Sequence, residues 1–121
     1  MITHSIALLL FIFGGLTALP LTQAIAPRYY SRAFNKLGQL DDTAIFYARQ
    51  AGLAIASIGA LLIWAGFDPA IRLPVIVVAI AGKTVFSASI YFNLKKYPGL
   101  LSTALVDTIA VLVFALYLAG W

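Results

Sequence analysis

Apolar and polar positions along this chain are spaced on the scale of a lipid bilayer. Four apolar runs fall at about 5–26, 43–66, 74–94 and 100–121, each some 20–24 residues, the length a helix needs to cross the hydrocarbon layer. Short polar connections separate them. The pattern predicts an all-α fold, a four-transmembrane-helix bundle forming one integral membrane domain over 1–121. In the first run Pro20 is expected to kink the helix near its end, and Gly14, Ala18 and Thr22 recur every fourth residue as a narrow face. In the second run Asp41 or Asp42 can cap the N-terminus. There Ala48, Gly52, Ala56 and Ala60 form a small-residue stripe with Gly59 beside it. Such a stripe predicts close helix contact within the bundle ahead of a homodimer face. Pro74 suits the first turn of the third helix. Tyr29, Tyr30, Trp64, Tyr97 and Trp121 all fall near span ends, where aromatic belts belong.

The first connection has a pattern of its own. From Pro27 to Leu37, Arg28, Arg32 and Lys36 lie four apart, while Tyr30, Phe34 and Leu37 line another face, and Gly38 supplies a stop. This predicts a short interfacial amphipathic helix whose three cations touch anionic headgroups on the cytoplasmic face. Cations also set the orientation. The first and third connections carry Arg28, Arg32, Lys36, Lys95 and Lys96, whereas the opposite side has Arg72 with Asp68 beside it. By the positive-inside rule these two connections are cytoplasmic and both termini face the other side of a plasma (inner) membrane. Thr22-Gln23-Ala24 has the small-x-small form of a signal cleavage site, but no Lys or Arg precedes the apolar run, so the segment is expected to be retained.

Composition agrees with the pattern. The chain is 63% hydrophobic and 10% charged, against about 45–50% and 25% in soluble domains. A net charge of +4, clustered beside the apolar runs, fits membrane topology and not a nucleic-acid surface. With no cysteine and only His4 as histidine, thiolate chemistry and a two-histidine metal site are excluded within one chain. The four carboxylates are Asp41, Asp42, Asp68 and Asp107, and no two fall together within the membrane. No Ser-His-Asp set or phosphate-binding loop can be assembled, so neither enzyme activity nor a cofactor is expected.

Polar residues inside the runs are the candidates for chemistry. Lys83 stands near the middle of the third run, where a lysine costs roughly 3 kcal/mol to insert. Measured by helical rise from the cytoplasmic edge, Arg49, Asp107 and Lys83 lie at roughly 9, 11 and 16 Å. Snorkelling closes such differences, so the three are expected to meet. Gln50 accompanies Arg49, Ser87 lies one turn from Lys83, and Thr103 one turn from Asp107. The expected cluster is therefore Arg49, Gln50, Lys83, Ser87, Thr103 and Asp107, opening toward the cytoplasmic half. Two uses are open to it. It can fix helix register, or its excess positive charge can receive an anionic or carbonyl-bearing amphiphile.

Arg49-x-x-Gly52 and Gly59 in the second run, Gly82-Lys83 with Phe86 and Tyr91 in the third, and Asp107 with Phe114 and Tyr117 in the fourth resemble the small DoxX-like membrane proteins. That resemblance implies the four-span fold and, through members linked to redox complexes or larger membrane assemblies, an association with other subunits. It supplies no catalytic residue. The expected function is a non-catalytic accessory or scaffold subunit, associating with other membrane proteins or with itself. The alternative is binding or transport of a small lipophilic anion at Arg49, Lys83 and Asp107.

Overall fold

Among residues 2–33 and 40–121, which the computed structural model of the chain describes, six α-helices and two 3-10 turns follow one another with no strand. Helix α1 is Ile2–Ala18, α2 Leu21–Ile25, α3 Pro27–Ala33, α4 Asp42–Phe67, α5 Arg72–Phe92 and α6 Leu101–Leu118, with the turns at Pro69–Ile71 and Pro98–Leu100. Four stretches are long and apolar enough to cross a membrane: Ile2–Ile25, Asp42–Phe67, Pro69–Phe92 and Pro98–Leu118. They are compatible with a multi-pass membrane protein.

Local chemistry sets where these helices stop. Pro20 does more than kink the first run. It separates α1 from α2, with a turn at Leu19 and Pro20, because it has no N–H to donate and its ring clashes with the preceding turn. Asp41, not Asp42, caps α4, accepting from the Ala44 amide at 2.7 Å. The third helix begins at Arg72, two residues ahead of the expected Pro74, which still falls in the first turn where no amide needs an intrahelical partner. Arg72 itself donates through Nε to the Ala65 carbonyl at 2.7 Å and through a terminal nitrogen to Gly66 at 3.0 Å, closing the end of α4. The fourth run was expected to be helical to Trp121, but α6 ends at Leu118. Gly120 takes φ 98° while its amide and that of Trp121 bond back to Tyr117 and Leu116, a Schellman ending.

Helix α1 packs antiparallel along α4, and α5 along α6. Backbones touch where α1 and α2 meet α4. A Cβ on Gly59 would lie 2.5 Å from the Ala18 amide nitrogen and 2.7 Å from the Gly14 carbonyl oxygen, and one on Gly52 2.5 Å from the Pro20 carbonyl oxygen. Gly52, Ala56 and Gly59 are buried in this contact, and the Ala48 carbonyl accepts from the Gln23 amide at 2.6 Å. Ala60 is exposed instead. A strict four-residue step drifts by about 40° per step on a helix, so after Ala56 the contact passes to Gly59. The apolar core lies toward the end carrying both termini, where Thr3 donates through its amide and its hydroxyl to the Trp121 carbonyl, both at 2.9 Å. Ile6, Leu10, Phe13, Leu62, Ile76, Ala79 and Phe114 fill that half. Phe13 meets Phe114 edge-on at 5.5 Å between ring centroids. Large apolar side chains such as Leu8, Leu53, Val78 and Leu112 point outward.

Candidate functional site

The buried face of α5 is Val75, Ile76, Ala79, Lys83, Ser87 and Ile90, one stripe at helical spacing. Lys83 belongs to that stripe, so the same periodicity that buries its neighbours turns its side chain inward. Only 9% of the side chain is exposed. A charge there needs partners, and it has two. The ammonium donates to Asp107 Oδ1 on α6 at 2.8 Å and to Thr17 Oγ1 on α1 at 2.8 Å. Thr17 in turn donates to the Phe13 carbonyl at 2.6 Å, so its hydroxyl is used in both directions. One lysine thus joins α1, α5 and α6 just beyond the apolar core. Two of its three N–H groups are engaged by these residues.

Hydroxyl groups extend the site away from the core. Ser87 reaches toward the Ala104 carbonyl at 3.5 Å, a long contact, while Thr108 donates to the same carbonyl at 2.7 Å and pairs with the Tyr91 hydroxyl at 2.7 Å. Thr103 and Ser102 line a cavity of about 210 Å³ that also touches Thr17, Gln23, Lys83 and Asp107. Tyr30 closes it from α3. Ala26, held out of the helical region before Pro27 (φ −135°, ψ 73°), breaks the chain between α2 and α3. Tyr30 is buried beside the cavity. Burial first, and the negative charge of Asp107 second, push the Tyr30 phenol above its usual pKa, so it stays an O–H donor.

A second cavity, of about 630 Å³, reaches the same pair from the side. It is a groove between α4 and α5, walled by Ala54, Ile58, Ala81, Gly82 and Val85, with Thr17, Lys83 and Asp107 at its inner end. Val85 is 71% exposed, so the groove faces outward between two membrane-length helices. A Cβ built on Gly82 would meet only Ile58 Cδ1, at 3.7 Å, which leaves the groove open there.

The expected six-residue cluster comes together only in part. Lys83, Asp107, Ser87 and Thr103 gather at the site. Arg49 and Gln50 do not. Both are exposed on α4 and line neither cavity, and Arg49 has no ion pair among the described residues. The carboxylate that was expected to bridge two cations is engaged by Lys83, and the other three acids cluster at helix ends. The site is accordingly a neutral pair without excess positive charge. Arg28 and Arg32 are exposed on α3, and Arg28 donates to the Leu40 carbonyl at 3.1 Å. Lys36, the third cation expected at headgroups, lies outside the described residues together with Phe34, Leu37 and Gly38.

Thr17, Gln23, Ser102 and Tyr30 were not among the expected site residues. Thr17 carried a usable signal, a hydroxyl at mid-span one turn before a proline. Tyr30 carried a misleading one, since its place at a span end reads as aromatic belt. Among the described residues no group of His, Asp or Glu is arranged to hold a metal ion. Compared with known proteins, the chain matches no protein-family model, no curated protein and no solved structure.

Proposed function

We propose that this protein is a four-span bundle of the plasma (inner) membrane that binds a small amphiphile at the Lys83–Asp107 pair, with the polar head in the cavity under Tyr30 and the apolar tail in the α4–α5 groove. One observation carries this. A cavity that carries Gln23, Tyr30, Ser102 and Thr103 among apolar walls and a more apolar, outward-facing groove share Thr17, Lys83 and Asp107, so a molecule polar at one end and apolar at the other fits across the junction. The groove is within the usual range of small-ligand sites, roughly 300–1,000 Å³, and the head cavity is below it. The head is therefore small and rich in acceptors, an acid or a carbonyl group, to meet the ammonium and the surrounding hydroxyls.

In this proposal the end bearing α3 is cytoplasmic, with Arg28 and Arg32 in the headgroup layer and both termini on the far side. Membership of the DoxX-like class is proposed for the layout alone. An accessory-subunit role has less to rest on. The small residues that would have served a partner helix, Gly52, Ala56 and Gly59, are buried against α1 and α2, and lipid can cover the remaining outer face.

The test is saturable binding of a dansyl-labelled medium-chain fatty acid to the protein in lipid nanodiscs. Wild type should bind with dansyl emission shifted to the blue, and Lys83→Met paired with Asp107→Leu should lose that binding while keeping its helical circular dichroism. Undiminished binding by the double variant would sink the proposal.

A further inference from the structure

Neutrality of the site determines what an anionic ligand must bring with it. The Lys83 ammonium and the Asp107 carboxylate cancel at 2.8 Å. Among the described residues no other Lys or Arg lines either cavity. Facing Asp107 are Lys83 from α5, Tyr30 from α3 and, through Lys83, the Thr17 hydroxyl from α1. Helix α4 contributes Ala54, Ile55 and Ile58 to the walls and no titratable group. His4 is at the far end of α1. An anion seated on Lys83 would thus place two negative charges against one positive charge in apolar surroundings, where an uncompensated charge is strongly disfavoured.

Two acidic groups sharing one such site do not both stay ionised. Building on the amphiphile site proposed above, we infer that this protein takes up an acid-headed amphiphile together with one proton, which Asp107 accepts from water as the ligand's anionic head replaces its carboxylate on Lys83. Net charge inside the protein is then the same before and after binding. No covalent bond to carbon changes. The ammonium keeps its three hydrogens, the head takes the place of Asp107 Oδ1, and the new Asp107 O–H joins Tyr30 as a donor beside the head.

A medium-chain alkyl sulfonate separates protein titration from ligand titration, because its head stays ionised throughout the working range. Its binding to the full chain in nanodiscs is measured by equilibrium dialysis against empty nanodiscs between about pH 5 and pH 8, with proton uptake followed by an indicator dye in weak buffer. Affinity should fall about tenfold for each unit of rising pH across this range, with about one proton taken up per sulfonate bound. Asp107→Asn, neutral at every pH, should bind the sulfonate without pH dependence and gain thermal stability from it. If that variant does not fold, the wild-type proton count still decides. Saturable binding with no proton uptake overturns the inference and leaves the amphiphile site standing. Binding of the dansyl fatty acid but not of the sulfonate also overturns it, since the proton would then stay on the ligand. Absence of saturable binding by either probe overturns the amphiphile site as well.

Discussion

Helix α4 meets two neighbours through small residues, with opposite results. Toward α1 and α2, Gly52, Ala56 and Gly59 are buried, and a methyl added at Gly52 or Gly59 would overlap main-chain atoms. Toward α5, Ala54 faces Ala81 and Gly82 across open space, where an added methyl would find only ordinary van der Waals contact. A small residue removes side-chain volume. Whether the neighbour closes in or a groove remains is decided by what else holds the helices apart. Along α1 the side chains of Ile63 and Phe11 fit into the room left at Gly14 and Gly66, and the helices close in. Between α4 and α5, Ile58 and Phe86 are large enough to wall a groove, and the Thr17–Lys83–Asp107 chain ties α5 and α6 to α1 at a fixed distance.

Breaking that tie tests the comparison most severely. Asp107→Ala leaves a buried ammonium without its counter-charge and should cost about 4 kcal/mol in an unfolding titration. Adding Lys83→Met should restore most of that loss, because two apolar residues leave no charge to solvate. A double variant as unstable as the single one would show that the pair is not the source of the loss. Next in size, Gly59→Ala should cost about 3 kcal/mol, since backbone atoms of α1 lie within the radius of the new methyl. Thr17→Val removes one hydrogen bond to a charged group while keeping the shape, and about 2 kcal/mol is expected by the same titration. The smallest stability effect belongs to the groove. Gly82→Trp should change unfolding by less than about 0.5 kcal/mol yet weaken dansyl fatty acid binding by more than about tenfold. Gly15→Trp, on an open outward position of α1, should change neither.

How much of this was legible in the sequence follows the same division. Hydrophobic length alone gave four membrane-length helices, because hydrocarbon thickness sets a hard lower limit on run length. The charge of Lys83 in an apolar stripe marked the site, and Asp107 as the one acid at a similar depth marked its partner. Depth along a helix could be counted, but direction around it could not be settled for Arg49. Counting placed that residue level with the pair, whereas the structure leaves it on an exposed face. Tyr30 was hidden for another reason. Its burial depends on the helix break at Ala26–Pro27, which ends a span without showing in the sequence which way the next helix lies. The groove could not be read at all, since Ala54, Ala81 and Gly82 carry the same small-residue signature as the tight seam beside α1.

The most direct test of the amphiphile site is a crystal structure with a medium-chain fatty acid brominated at its tail. An anomalous peak in the α4–α5 groove beside Gly82, with the acid head in density next to Lys83 Nζ, is the predicted result. Full occupancy of bromine on the outer apolar surface, with the groove filled by side chains and the Lys83–Asp107 contact closed, would contradict it.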